Sequence, residues 1–81
     1  MKSDIRTRLN VLEELIWEPD TLPDNVIVEV RDGRVVLTGY TDTESQRWHA
    51  EKAAARVHGV TQIENQIYVL FEQGVPSKMQ K

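Results

Sequence analysis

The pair Asp32-Gly33 constrains this chain more than any other feature, because of what flanks it. Val26-Ile27-Val28-Glu29-Val30 precedes it and Val35-Val36-Leu37-Thr38-Gly39-Tyr40 follows, both rich in β-branched residues. A two-residue type I′ turn needs positive φ at both central positions, and Asp-Gly meets that requirement. A β-hairpin is therefore expected, and the rest of the chain has to be arranged around it.

Upstream, apolar residues fall at Ile5, Leu9, Leu12 and Ile16, with Val11 and Leu15 beside them. At about 100° per residue they cover one broad side of a helix from Ser3 to Trp17. The arc is wider than one packing surface requires, so this helix is expected to touch both a sheet and a neighbour. Ser3 or Asp4 can cap its start, and Pro19 and Pro23 stop it. The acidic stretch from Glu18 to Asn25 is then a connection, and Trp17 is expected to fold back and close the core.

Downstream, Thr41-Asp42-Thr43-Glu44-Ser45-Gln46 offers two overlapping capping boxes, Thr41 with Glu44 and Thr43 with Gln46. The helix they open runs to about Val57, with Gln46, Ala50, Ala53 and Val57 on one narrow face. Alanines there let it sit close to its sheet, and His58-Gly59 is expected to end it. Residues 60–71 read as the last strand. The fold class is thus α+β in the order α-β-β-α-β, a three-stranded mixed sheet with two helices packed on one face. The β-α-β unit should cross over right-handed if its strands are parallel. Residues 1–72 form one domain, and residues 73–81 read as a polar, flexible tail.

A chain of 81 residues has no room for a second core and buries only roughly 60–65% of the surface its unfolded form exposes. A sizeable apolar face left outside would tend to find a partner. The net charge of −3 argues against non-specific nucleic-acid binding, which needs a basic footprint. Without cysteine there is no disulfide, no thiolate metal site and no Cys nucleophile. No apolar run of signal-peptide or transmembrane length follows Met1-Lys2-Ser3-Asp4-Ile5-Arg6. If Met1 is the native start the expected location is the cytoplasm; for a fragment that has lost a leader it is the periplasm.

The order and spacing of several short pieces resemble one family. Trp17-Glu18-Pro19 follows a helix; Val26-x-Val28-x-Val30-x-Asp32-Gly33 runs into Val35-x-Leu37-Thr38-Gly39; then come Ala50, Ala53-Ala54, Val57-x-Gly59-Val60 and Ile63-x-Asn65-x-Ile67-x-Val69. Together they resemble the BON domain (bacterial OsmY and nodulation) over about residues 4–71. Glu18 stands where Asp is usual, and Thr41 where an apolar residue usually closes the second strand. On this resemblance Trp17, Asp32, Gly33, Gly39, Gly59 and Asn65 are structural positions. The function it implies is non-catalytic: attachment to phospholipid membranes, often in osmotic or envelope stress.

The residues themselves offer little chemistry. His49 and His58 do not share a helix face and have no cysteine or i, i+4 histidine beside them, so no metal site is expected. Ser3, Ser45 and Ser77 lack plausible His/Asp partners, and the adjacent Glu13 and Glu14 point about 100° apart on a helix. Gly33, Gly39, Gly59 and Gly74 are too scattered to cradle a phosphate, and the GxxG loop of an RNA-binding KH module is missing. No catalytic residue and no cofactor is assigned.

Two surfaces remain. Trp48, Lys52 and Arg56 follow at i, i+4 and i+8 with His49 alongside, an aromatic ring flanked by cations that suits anionic phospholipid headgroups. The alternative is that Trp48 packs on the flank of the first helix while Lys52 and Arg56 pair with nearby acids. The second surface is the bare side of the sheet. If Val26, Val28, Val30, Val35, Leu37, Ile67 and Val69 face the helices, alternation sends Ile27, Val36, Thr38, Tyr40, Tyr68 and Leu70 to the other side. Ile27, Val36, Tyr40, Tyr68 and Leu70 then form a candidate face for a homo-oligomer or a protein partner, interrupted by Glu29 and Arg31.

Overall fold

A computed structural model describes residues 3–18 and 23–71. Helix α1 spans Asp4–Trp17, and a short 3-10 turn at Pro23–Asn25 leads into strand β1, Val26–Arg31. Strand β2 is Arg34–Thr41, helix α2 is Glu44–Ala55, and strands β3 and β4 are Gln62–Asn65 and Tyr68–Val69. Pro19, which was expected to stop α1, and the tail 73–81 lie outside the described residues. Glu18 has already left the helix with extended backbone, as the residue before a proline tends to.

The hairpin forms as expected. Asp32 and Gly33 have φ of +54° and +83°, and Arg31 lies opposite Arg34, so the loop is two residues long. Strand β2 is central. Strand β1 pairs with it antiparallel, and β3 and β4 pair with it in parallel on its other side.

The expected single strand over residues 60–71 is broken at Gln66 and Ile67, yet its register holds across the break. Leu37 faces Asn65 before it and Tyr40 faces Tyr68 after it, at the same offset. The cause is Asn65. Its side-chain oxygen accepts the Ile67 N–H at 3.1 Å, and its amide donates to the Arg47 carbonyl at 3.3 Å and Glu51 Oε1 at 3.1 Å. A local bond of this kind competes with the ladder, and the other two tie the break to α2.

Both helices cover one side of the sheet. Their buried residues, Val11 and Leu15 from α1 and Ala50, Ala53 and Ala54 from α2, meet Val26, Val28, Val35, Leu37 and Ile67 from the strands. Val57, just past α2, is buried too, while Val30 and Val69 are half-buried. Alternation sorted the strand residues onto the two faces as the pattern predicts. The buried line of α1 is Thr7, Val11 and Leu15, whereas Ile5, Leu9 and Ile16 are exposed and Leu12 packs at the core's margin.

The ends of the helices also sort out the capping alternatives. Ser3 caps α1, its Oγ accepting the Arg6 N–H at 3.1 Å. Asp4 serves a different purpose. Its carboxylate accepts the backbone N–H of Asp32 at 2.8 Å and of Gly33 at 3.3 Å, tying α1 to the hairpin tip. Thr43 and Gln46 make the capping box of α2, while Thr41 lies buried in β2 and donates to the Thr43 carbonyl at 3.1 Å. Helix α2 ends at Ala55, earlier than expected, because Arg56 and Val57 turn more tightly onto the carbonyls of Ala53 and Ala54. Gly59, with φ of +95°, then redirects the chain into β3.

Candidate interaction surfaces

The register converts the open side of the sheet into a row of rungs, because directly paired residues project to the same face. Nearest the hairpin tip are Arg31, Arg34 and Gln62; next come Glu29, Val36 and Glu64. Arg34 forms an ion pair with Glu64, and Gln66 donates to the same carboxylate. Farther along stand Ile27 beside Thr38, then Tyr40 beside Tyr68. The face is therefore divided: charged toward the turn, apolar and aromatic toward the opposite end.

Exposure sharpens the division. Ile27, Tyr40, Tyr68 and Leu70 are 57%, 43%, 68% and 46% exposed. Val36 is only half-buried but sits between Glu29 and Glu64, so it belongs to the charged half. The structure thus brings Tyr40 and Tyr68 together and separates Val36 from them. Phe71 also stands at the aromatic end, 67% exposed, where its N–H donates to the Asp42 carbonyl at 2.8 Å. Reading the sequence missed it, because alternation beyond the last ladder pair does not say where a side chain points.

On α2 the stripe divides as well. Trp48 is 54% exposed, so it does not pack away on the flank of α1. Lys52 Nζ lies 5.2 Å from the centre of the Trp48 ring, within cation–π range. The half-buried His49 ring meets Trp48 edge-on, with centroids 5.1 Å apart. Arg56 is committed elsewhere, donating to Glu18 Oε1 at 2.8 Å and Glu14 Oε1 at 3.1 Å. Those bonds, Glu18's first, hold its guanidinium pKa above the usual arginine value, so it stays charged wherever the protein is folded. It fastens α2 to α1 and offers a ligand less than its exposure suggests.

Trp17 corrects an expectation. It is 75% exposed and does not close the core. Two residues past the buried Leu15, it lies about 200° round the helix from it, which carries the indole outward. Of the other positions named on the resemblance, Asp32 and Gly33 form the turn, Asn65 stands at the break in the last strand, Gly59 precedes β3, and Gly39 lies against the backbone at Asn25.

Among the described residues no group of His, Cys, Asp and Glu could hold a metal ion. No described helix is long and apolar enough to cross a membrane. Depressions on the described surface are open to solvent. One, about 440 Å³, is lined by Arg8, Arg31, Arg34 and Glu29 at the charged end of the sheet.

Comparison with known proteins bears on this arrangement. No curated protein matches the chain. Among solved structures, it is similar to the C-terminal domain of CdsD, described as the structural protein of the Type III secretion system of Chlamydia trachomatis. The TM-score is 0.68 at 19% identity, with 83% of this chain covered. This chain spans 33% of that one, so the likeness concerns the fold of one domain. A family model for the BON domain matches residues 3–70, taking in both helices, the hairpin and the broken last strand. The chain belongs to the BON domain family.

Proposed function

We propose that this chain is a non-enzymatic protein-binding module whose contact surface is the aromatic end of the open sheet face. One observation carries the reading: Ile27, Tyr40, Tyr68 and Leu70 stand exposed together at one end of a sheet whose other side is filled by two helices. Large aromatic side chains are the usual anchors of interfaces, and a polar margin such as Glu29, Arg34 and Glu64 suits their rim. Membership in the BON family and the likeness to a domain of a secretion-system structural protein support a binding rather than a catalytic role.

The test is a photo-crosslinking amino acid at Tyr68 in cells, with the same probe at the exposed Ala55 of α2 as a control. A discrete protein adduct from position 68, lost on adding Tyr40→Lys, is the expected result. Adducts from position 55 alone would count against the sheet face.

Attachment to anionic phospholipid is a second reading, favoured by the Trp48–Lys52 pair. Its support is narrower, since Arg56 is held by two carboxylates and the chain carries net negative charge. Salt-sensitive pelleting with vesicles rich in phosphatidylglycerol, abolished by Lys52→Glu, is what that reading requires.

A further inference from the structure

The outer side of α1 carries a pattern that the sheet face does not use and the core touches only through Leu12 at its margin. Ile5, Leu9, Leu12 and Ile16 follow at spacings of four, three and four residues, the a/d repeat of a two-helix coiled coil. Ile5, Leu9 and Ile16 are 72%, 54% and 66% exposed, and Leu12 joins this seam to the margin of the core. Contacts locate the seam on the molecule. Glu14 and Glu18 reach α2, whereas Arg8 Nε donates to the Val28 carbonyl of β1 at 2.9 Å. The seam lies farther round α1 than Arg8, on the side away from α2.

We infer that this seam pairs with the same seam of a second copy, the two α1 helices running antiparallel. The flanking charges select both the occupant and the direction. Arg6 and Glu13 occupy equivalent flanking positions one heptad apart, both are exposed, and neither has an ion partner among the described residues. In an antiparallel pair, equivalent flanking positions from the two helices meet. Arg6 of each copy then lies beside Glu13 of the other, twice by symmetry. A parallel pair would set Arg8 against Glu13, but Arg8 is turned to its own β1, and the helix dipoles would be aligned unfavourably. The inference does not depend on the sheet-face reading, since the two surfaces share no residue.

Helix α1 supplies only two heptads, so a dissociation constant on the order of 0.1–1 mM is expected, below the strength of a standard interface. Sedimentation equilibrium of the full chain from micromolar to millimolar concentration tests it. Arg6→Glu and Glu13→Arg should each weaken the dimer about tenfold, by replacing two attractions with two repulsions. The double swap should restore it, and an equimolar mixture of the two single variants should form a heterodimer. Both side chains are exposed, so the variants should keep the wild-type circular dichroism. Tyr68→Lys should leave association unchanged. A monomer at millimolar concentration, a double swap that fails to restore pairing, or dissociation by Tyr68→Lys or Arg8→Glu but not Arg6→Glu would each overturn the inference.

Discussion

Gly39 stands opposite Val26 with φ of +104°, and a Cβ built there would run into the carbonyl oxygen of Asn25. Two separate demands meet at this one position: a backbone conformation that L residues rarely adopt, and contact too close for any side chain. Gly39→Ala is accordingly expected to lower the free energy of unfolding by about 2–4 kcal/mol, measured by urea denaturation. A loss under about 1 kcal/mol would mean that the turn at Asn25 yields easily. Asp4 shows a different kind of residue-scale economy. An acidic residue in the first helical turn suits the helix dipole, and here the same carboxylate also binds two N–H groups of the hairpin tip. The amino-acid order gives no hint of that second role, because Asp4 and Asp32 meet only once the whole fold is assembled.

Among elements, those ruled by local chemistry could be read in advance. Asp32-Gly33 and the Thr43–Gln46 box depend on neighbours in the chain, and both formed as read. Alternation likewise separated Val28 and Leu37 from Ile27 and Tyr40. Helix α1 was harder, because its apolar arc is too wide for periodicity to say which part is buried. Packing against β1 and α2 chose Thr7, Val11 and Leu15 and left Ile5, Leu9 and Ile16 outside. The candidate face was legible in its strand residues, whereas the exposure of Phe71 beyond the last ladder pair was not. The break in the last strand was hidden for another reason: Asn65 was recognisable as a family position, but its bonds to Arg47 and Glu51 are long-range. Asn65→Asp keeps the acceptor for Ile67 while removing both donations to α2 and setting a carboxylate beside Glu51. Its expected cost is about 1–3 kcal/mol, with faster hydrogen exchange in α2 near Glu51. Unchanged exchange there would show that the helix is held by its alanine contacts alone.

For the molecule as a whole, a core built on one side of a single sheet leaves three outward surfaces with separate chemistry. The sheet offers aromatic rings, α2 an indole under a lysine, and α1 an aliphatic seam. No two of them share a residue, so the self-pairing proposed for α1 leaves the proposed sheet contact uncovered. The bond from Arg8 to Val28 has a consequence beyond orienting α1. With Arg31 and Arg34 closing the hairpin, the carbonyl and N–H of Val28 point away from β2, toward the position another strand would take. A cation seated there denies that position to a neighbouring chain and guards a valine-rich border against templated fibril growth. Arg8→Ala should leave the fold intact yet shorten the lag before thioflavin-positive aggregates appear on mild heating, turning a well-behaved domain into one that seeds its own precipitation.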